Sequence, residues 1–539
     1  MRHLLTVALL LAGTAANAQA IPVETMKEVT QELSSDAYEG RAPTTPAEDK
    51  TIAYIVQRFE KAGLKPGNKG QWTQDVPLVE ITAKDVAPLV FTGGKAPVSL
   101  DYRKDMVIAT YRVVPKVAIK DSDVVFVGYG INAPERGWND YAGLDVKGKT
   151  VVILVNDPDY KTPETKGLFD GKAMTYYGRW TYKFEEAARQ GAAAAIIVHD
   201  TYPAAYPWGV VQSSWTGPQL EQDTPGDHMD QSQAIGWMQL DKARALFAAA
   251  GKDFDALAAA AEKKGFKAVP LGVKASVSWE NTIKRQASKN VVGILPGSAK
   301  PDEVVLYSAH WDHLGRCDAV NGDDICNGAV DNASGIGGLV ALAEAHAKAG
   351  PAKRSLVFLA VTAEESGLLG SKFYAENPVY PLAKTVGGVN MDSMNVIGKT
   401  KDFVIAGAGK SELEDLVKPF VAAEGRVILP EARPEAGGYY RSDHFSFAKL
   451  GVPMLYGESG DDLVVGGKEA GEKAAKDYTQ NRYHKPQDAY NPAWDWSGAV
   501  SDLNIYYGLG RQLAEGSAWP NWYKTAEFRA VRDKSRAGQ

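Results

Sequence analysis

The chain of 539 residues is 45% hydrophobic and 23% charged, with 53 Gly, 28 Pro and 2 Cys, a composition that excludes disordered, collagen-like and disulfide-scaffold chains. At roughly 150 residues per domain the length predicts two to four units, each able to bury its own core. The net charge of −6 lacks the basic excess that phosphate-backbone binding requires, so nucleic acid is not an expected partner.

Residues 1–20 read as a secretory signal peptide. Met1-Arg2-His3 is positive, Leu4 to Leu11 is apolar apart from Thr6, and the small residues Ala16, Ala18 and Ala20 suit cleavage after Ala18 or Ala20. No run approaches the roughly twenty consecutive apolar residues of a membrane span, so no stable membrane insertion is expected and the mature chain is expected to be secreted or periplasmic. From Pro22 to about Leu78 the spacing of Ile52, Ile55, Val56, Phe59 and Ala62 predicts amphipathic helix, ended by Gly63 and Pro66. Residues 21–114 are assigned to the first part of the main domain.

Between 115 and 285, short apolar runs at Asp123–Gly128, Thr150–Val155 and Ala193–Val198 predict buried strands, and Trp180, Phe184, Ala187 and Ala188 mark one helix face. This stretch reads as a self-contained, β-rich α/β module without a catalytic constellation. From 286 to 515, strands at Asn290–Leu295, Val304–Ser308, Ser355–Val361, Gly387–Asn390 and Val452–Tyr456 alternate with helices at Gly335–Ala347, Gly367–Glu376 and Glu412–Glu424. Such alternation predicts an α/β domain with a largely parallel sheet covered on both faces, its reactive groups at the carboxyl edge of the strands. Ser459–Arg482 reads as a surface loop and 516–539 as a C-terminal tail. Trp494, Trp496, Trp519 and Trp522 read as packing residues.

Export places Cys317 and Cys326, which share one polar, turn-rich stretch, in an oxidising compartment. A local disulfide is favoured over a pair of thiolate ligands, because the C-x-x-C spacing of structural zinc sites is missing.

Five elements carry the chemistry. His310-Trp311-Asp312 follows a predicted strand, and a carboxylate two residues on can accept the second ring N–H of a metal-bound imidazole; alone, the pair reads as a satisfied histidine. Asp331, at the turn before a helix, reads first as an N-cap. Glu364-Glu365 after an apolar strand is harder to accommodate, since buried like charges repel unless a cation lies beside them. Asp392, at another strand end, and His484 complete the set His310, Asp331, Glu365, Asp392 and His484. With one bridging carboxylate such a set holds two zinc ions roughly 3.5–4 Å apart. Glu364 is left beside a ligand without being one, where a general base belongs. Gly407-Ala408-Gly409-Lys410-Ser411 lacks the first Gly of a P-loop, where Val404 stands, and no Gly-x-Ser-x-Gly elbow supplies a serine nucleophile.

These motifs resemble metallopeptidase family 28, the two-zinc aminopeptidases whose relatives include glutamate carboxypeptidases and the transferrin receptor ectodomain. The resemblance runs from about Pro22 to Gln512 and is densest between Asn290 and Asn491. It implies a three-layer αβα zinc-peptidase domain in which His310 and Asp392 bind one zinc, Glu365 and His484 the other, and Asp331 bridges both. Glu364 matches the general base and Asp312 the carboxylate supporting His310. Ser442-Asp443-His444 matches a family element. Tyr439 matches a tyrosine that stabilises the tetrahedral intermediate, with Tyr483 a second candidate. Residues 115–285 resemble an inserted protease-associated domain. The implied activity is removal of the N-terminal residue from peptide substrates. A carboxypeptidase or dipeptidase, with Arg441 anchoring a substrate carboxylate, and a non-catalytic receptor-like ectodomain are the alternatives.

Overall fold

The computed structural model describes residues 21–538, so the expected signal peptide lies outside the described residues. Eight strands build the main sheet: β1 (Thr73–Lys84), β2 (Val269–Leu295), β3 (Lys300–His310), β4 (Arg354–Val361), β5 (Thr385–Asn390), β6 (Asp402–Ile405), β7 (Val427–Leu429) and β8 (Met454–Ser459). Their order is β1-β2-β4-β3-β5-β8-β6-β7, with β4, β3, β5 and β8 parallel and β2 antiparallel to β4.

The pleat turns successive side chains to opposite faces, and here both faces are apolar. Val305, Tyr307 and Ala309 of β3 and Leu356, Phe358 and Ala360 of β4 join a core with Met26 of α1 (Val23–Leu33), Phe59 of α2 (Pro46–Lys61) and Leu339 of α3 (Gly335–Lys348). Val304, Leu306, Val357 and Leu359 point the other way, toward Tyr374 of α4 (Leu369–Glu376) and Phe447. The result is the expected three-layer αβα arrangement. From β3 the chain passes through α3 to β4 on one side; from β4 it passes through α4 to β5 on the other side of β3. The two connecting helices cover opposite faces, so the carboxyl ends of β3, β4 and β5 open a crevice between them.

The second module has its own parallel sheet, from Lys116–Phe126 through Thr150–Leu154 and Ala194–His199 to Ala234–Gln239. Val152 and Ile196 face one core and Val151 and Ile197 another. The first half of β2 also belongs to this module, and its pairing with β1 from Lys84↔Glu280 to Thr73↔Val291, edged over Leu78–Thr82 by the strand Pro218–Gln222, makes a ribbon into the main sheet. The module starts earlier than the boundary at 115: Leu89, Phe91, Leu100, Met106 and Ile108 already lie in its core. Their strands are three or four residues long, too short to leave a period in the sequence. The modules meet where the Met174 N–H donates to Pro434 O at 3.1 Å and the Lys449 ammonium reaches Glu185 Oε1 at 3.0 Å.

Three local expectations are corrected. The helical reading to Leu78 overruns β1, where Val76 and Leu78 are buried sheet positions. Ser459–Arg482 is not simply a loop: α5 (Gly467–Asn481) occupies most of it. Gly466 and Gly467 mark its start, while Ala, Glu and Lys favour helix inside and Lys468 faces Glu472 at 3.6 Å one turn on. The tail 516–539 is docked. The buried Trp522 donates its Nε1–H to Gly451 O at 2.9 Å, and Arg532, in helix Arg529–Arg536, donates to Thr385 O at 2.8 Å. Among the described residues no helix is long and apolar enough to cross a membrane.

Cys317 and Cys326 are bonded across the hairpin of Gly315–Val320 and Asp323–Cys326. Thiol labelling of the denatured, unreduced protein is expected to find no free thiol, and Cys317→Ser with Cys326→Ser should cost about 2–3 kcal/mol of stability by loop entropy. Two labelled thiols would refute the bond.

Candidate active site

Each candidate ligand stands at or just beyond the carboxyl end of a central strand, or in a turn against it. His310 ends β3, Glu364 and Glu365 follow β4, and Asp392 follows β5. Asp331 lies in the turn before α3, and His484 follows α5. The turn at Asp331 requires glycine at 328: φ is +52°, and a Cβ there would meet the His313 ring at 2.5 Å. The buried Arg41 guanidinium pins the same turn by donating to Asn327 O at 2.7 Å and Gly328 O at 2.8 Å, while also reaching Trp311 O at 2.9 Å.

Asp331 lies between two histidines. Its Oδ1 is 3.3 Å from His310 Nε2 and its Oδ2 is 3.3 Å from His484 Nε2. Asp392 Oδ1 lies 3.3 Å from His310 Nε2, and Glu365 Oε2 lies 3.1 Å from His484 Nε2. The structure therefore brings together all the sequence-predicted ligands, in two halves that share Asp331. Tetrahedral zinc with bonds of about 2.0–2.1 Å sets neighbouring ligand atoms about 3.3–3.4 Å apart, close to these separations. Asp331 Oδ1 and His484 Nε2 are buried without a hydrogen-bond partner, as donors meant for a metal would be. The electrostatics agree. Burial alone would lower His484, but Glu365 and Asp331 outweigh it and raise the imidazole to about 10, so the cluster calls for positive charge.

Supporting residues fix the orientation of the ligands. The Ser442 hydroxyl donates to Asp392 Oδ2 at 2.7 Å and accepts from Asn390 Nδ2 at 2.8 Å. The Asp488 carboxylate accepts the N–H groups of Val330 and Asp331 at 3.0 Å. Asp488 has no pattern of its own in the sequence beyond its place four residues after His484. Asp312 departs from expectation. His310 Nδ1 is 3.1 Å from the Asp312 carbonyl and 3.8 Å from its carboxylate, so the carbonyl is the imidazole's partner. The carboxylate instead accepts the N–H of Glu364 at 3.1 Å and of Glu365 at 3.4 Å, holding the turn that carries both glutamates.

His313 was missed as a functional residue although it lies in the same His-x-Asp-His run. Its Nδ1 is 2.7 Å from Glu365 Oε1, and His313, Asp331 and Glu365 offer donor atoms within 4.8 Å of one another. Tyr439 is corrected. Its ring packs 4.7 Å from that of His444 and under the Lys410 ammonium, and the carboxylates that act on its hydroxyl are Glu527 and Glu414. The tyrosines that feel the cluster are Tyr483, stacked on His484 at 3.8 Å, Tyr478, whose hydroxyl donates to Asp488 at 3.2 Å, and Tyr456, on which Asp392 and Glu364 act. Tyr456 sits in β8, next to β5, and only the sheet order reveals its position. Burial, with Asp392 and Glu365 close by, pushes Glu364 well above the carboxylate range against the pull of His310.

A family model, Peptidase family M28, matches residues 290–507. The aminopeptidase NAALADL1 of Mus musculus is 33% identical over 129 residues, covering 23% of this chain and 16% of its own. Leupeptin-inactivating enzyme 1 of Streptomyces exfoliatus is 31% identical over 168 residues, covering 31% of this chain and 34% of its own. The chain thus spans between 16% and 34% of the length of these curated relatives. Among solved structures, the aminopeptidase from Aneurinibacillus sp. strain AM-1 superposes with a TM-score of 0.51 at 21% identity, over 92% of this chain and 95% of its own, which shows a shared fold. The matched segment is the one that bears the clustered His310, Asp331, Glu364, Glu365, Asp392 and His484, so over these residues the chain is similar to peptidase family M28.

Proposed function

We propose that the chain is an exported, zinc-dependent exopeptidase holding two metal ions and removing the N-terminal residue of peptides. The observation that carries this reading is Asp331 set between two histidines, with Glu364 on the turn that carries Glu365. His310 and Asp392 would hold one ion, Glu365 and His484 the other, and Asp331 would serve both. When bound, zinc supplies Lewis acidity that polarises a carbonyl and makes water acidic near neutral pH. Glu364 takes the proton of the attacking water at its carboxylate and returns it to the leaving amine. A hydroxyl from Tyr456 or Tyr483 donates to the developing oxyanion. Ser442 and Asp312 keep Asp392 and Glu364 oriented. The module at about 89–280 resembles an inserted protease-associated domain, and the disulfide accords with an oxidising compartment.

Metal analysis and a panel of free and N-acetylated peptides test the reading together. The expected outcome is two zinc ions per chain, activity lost with chelator, and cleavage of free peptides with N-acetylated counterparts nearly untouched. Equal rates on blocked and free peptides would exclude N-terminal cleavage. Activity on N-acetylated peptides alone would favour a carboxypeptidase on the same centre, and cleavage of neither would favour a receptor-like ectodomain.

A further inference from the structure

Four of the five expected ligands are held from behind by a group that is not itself a ligand. The Asp312 carbonyl lies 3.1 Å from His310 Nδ1, the Ser442 hydroxyl donates to Asp392 Oδ2 at 2.7 Å, and the Asp488 carboxylate accepts the Asp331 N–H at 3.0 Å. For Glu365 the group is His313, whose Nδ1 lies 2.7 Å from Oε1. His484 has no such support. It follows α5 on a left-handed φ of +58°, its side chain is 34% exposed, and among the described residues its ring meets only Asp331 and Glu365 as polar partners. The half of the centre made by Glu365 and His484 therefore depends on how firmly Glu365 is fixed.

His313 sits in a built place. Its side chain is fully enclosed, its backbone N–H donates to Arg41 O at 3.3 Å, and its ring packs where a Cβ on Gly328 would stand, 2.5 Å away. Arg41 and Gly328 belong to the same pinned turn. The ring's Nε2 is buried without a hydrogen-bond partner, so among the described residues Glu365 is the only polar partner of this imidazole. Enclosing an imidazole costs desolvation, and the one polar contact that offsets it is made with a ligand carboxylate.

His313, Asp331 and Glu365 offer donor atoms within 4.8 Å of one another, so a ligand role for His313 competes with a supporting one. The distances decide. Two atoms 2.7 Å apart on one zinc, with bonds of about 2.0–2.1 Å, would subtend about 80°, far from the tetrahedral angle of about 109°. Glu365 Oε2 and His484 Nε2, 3.1 Å apart, would subtend about 100°. Oε2 and His484 are thus placed as co-ligands, and Oε1 and His313 as a hydrogen-bonded pair. A carboxylate that binds a metal is ionised and can only accept, so His313 Nδ1 carries the hydrogen and donates it.

We propose that His313, outside the five-residue ligand set, is the positioning residue for the Glu365–His484 half of the centre: its Nδ1–H engages Glu365 Oε1 and leaves Oε2 as the one oxygen offered to the ion. This rests on the two-ion reading and deepens it.

The test is stepwise calorimetric titration of zinc into the metal-free full chain, in the parent and in His313→Ala, His313→Asn and His313→Gln. Losing the outer partner of a ligand typically lowers metal affinity about 10- to 100-fold. His313→Ala should weaken one of the two zinc sites by that factor and leave the other as it was. Asn puts an amide N–H where Nδ1 stands and should restore most of the lost affinity; Gln reaches the place of Nε2 and should not. In Glu365→Gln, where this half is already broken, adding His313→Ala should change nothing further. In Ser442→Ala, which touches the other half through Asp392, the two effects should add. If His313→Ala does not fold, the Asn and Gln pair carries the test. Parental affinity at both sites in the Ala or Gln variant, an Asn variant as weak as Gln, or an equal loss at both sites would overturn the assignment and leave the two-ion reading intact. A parent that takes up fewer than two zinc ions would overturn both. A parent that binds two zinc ions and cleaves no peptide would end the peptidase reading alone, because the titration reads metal and not turnover.

Discussion

Replacing Glu364 with Gln is expected to lower turnover about 10²- to 10⁴-fold, the range for loss of a general base, with the zinc content of the protein unchanged. The side chain of Glu364 is not one of the pairs that meet around Asp331; those are made by His310, Asp392, Glu365 and His484. Gln keeps the shape and the backbone N–H that donates to Asp312 Oδ1, so the turn should hold. What is lost is an oxygen able to take a proton and give it back. KM for a free peptide should change little, because proton transfer belongs to the transition state and not to ground-state binding. Steady-state kinetics with metal analysis on the same preparation checks this. A variant with two zinc ions and near-normal turnover would remove Glu364 from the role and turn attention to His313, which lies against the Glu365 carboxylate at 2.7 Å and is not one of the five expected ligands.

The positions of His310, Glu365 and Asp392 were legible in the sequence because each ends or follows a buried strand, a signal that Asp331, before α3, and His484, after α5, do not have. Runs such as Ser355–Val361 have no polar side to interrupt them, and the first acidic or imidazole side chain after the run marks the carboxyl edge of the sheet. The roles of the supporting residues were less legible, since they depend on contacts between segments far apart in the chain. The Asp312 carboxylate was expected to face His310, two residues away. It faces instead the N–H groups of Glu364 and Glu365, brought alongside by the parallel pairing of β3 and β4. Tyr439 fitted a motif position, yet the short turn Gly438–Tyr440 directs its ring toward His444 and Phe528. Tyr456 reaches the cluster only because β8 lies next to β5.

The second module shows the same limit from another side. Its longer strands were visible as apolar runs, but Leu89–Thr92, Val98–Leu100 and Met106–Ala109 are short and separated by Gly93-Gly94 and Asp101-Tyr102-Arg103-Lys104, so the boundary was set too late.

Asp331→Asn is expected to reduce bound zinc from two ions to at most one and to bring activity to background. The carboxylate serves both halves of the centre through different oxygens, Oδ1 toward His310 and Oδ2 toward His484. An amide keeps one acceptor oxygen and turns an NH₂ toward the second imidazole, so at least one half loses its anionic ligand and gains a donor that opposes a cation. Glu365→Gln should be milder, because Glu365 meets only His484 and His313; one ion should remain on His310, Asp331 and Asp392. The two variants therefore differ in stoichiometry and not only in rate. Stability gives an independent readout. A ligand present at 1,000 times its Kd adds about 4 kcal/mol to the folded state, so chelation should visibly lower the melting temperature of the parent and have little effect on Asp331→Asn. The N–H groups of Val330 and Asp331 still donate to Asp488 in the variant, and unchanged near-ultraviolet circular dichroism would show that the turn survives. Two zinc ions retained in Asp331→Asn, with the parent's response to chelator, would sink the shared-ligand assignment.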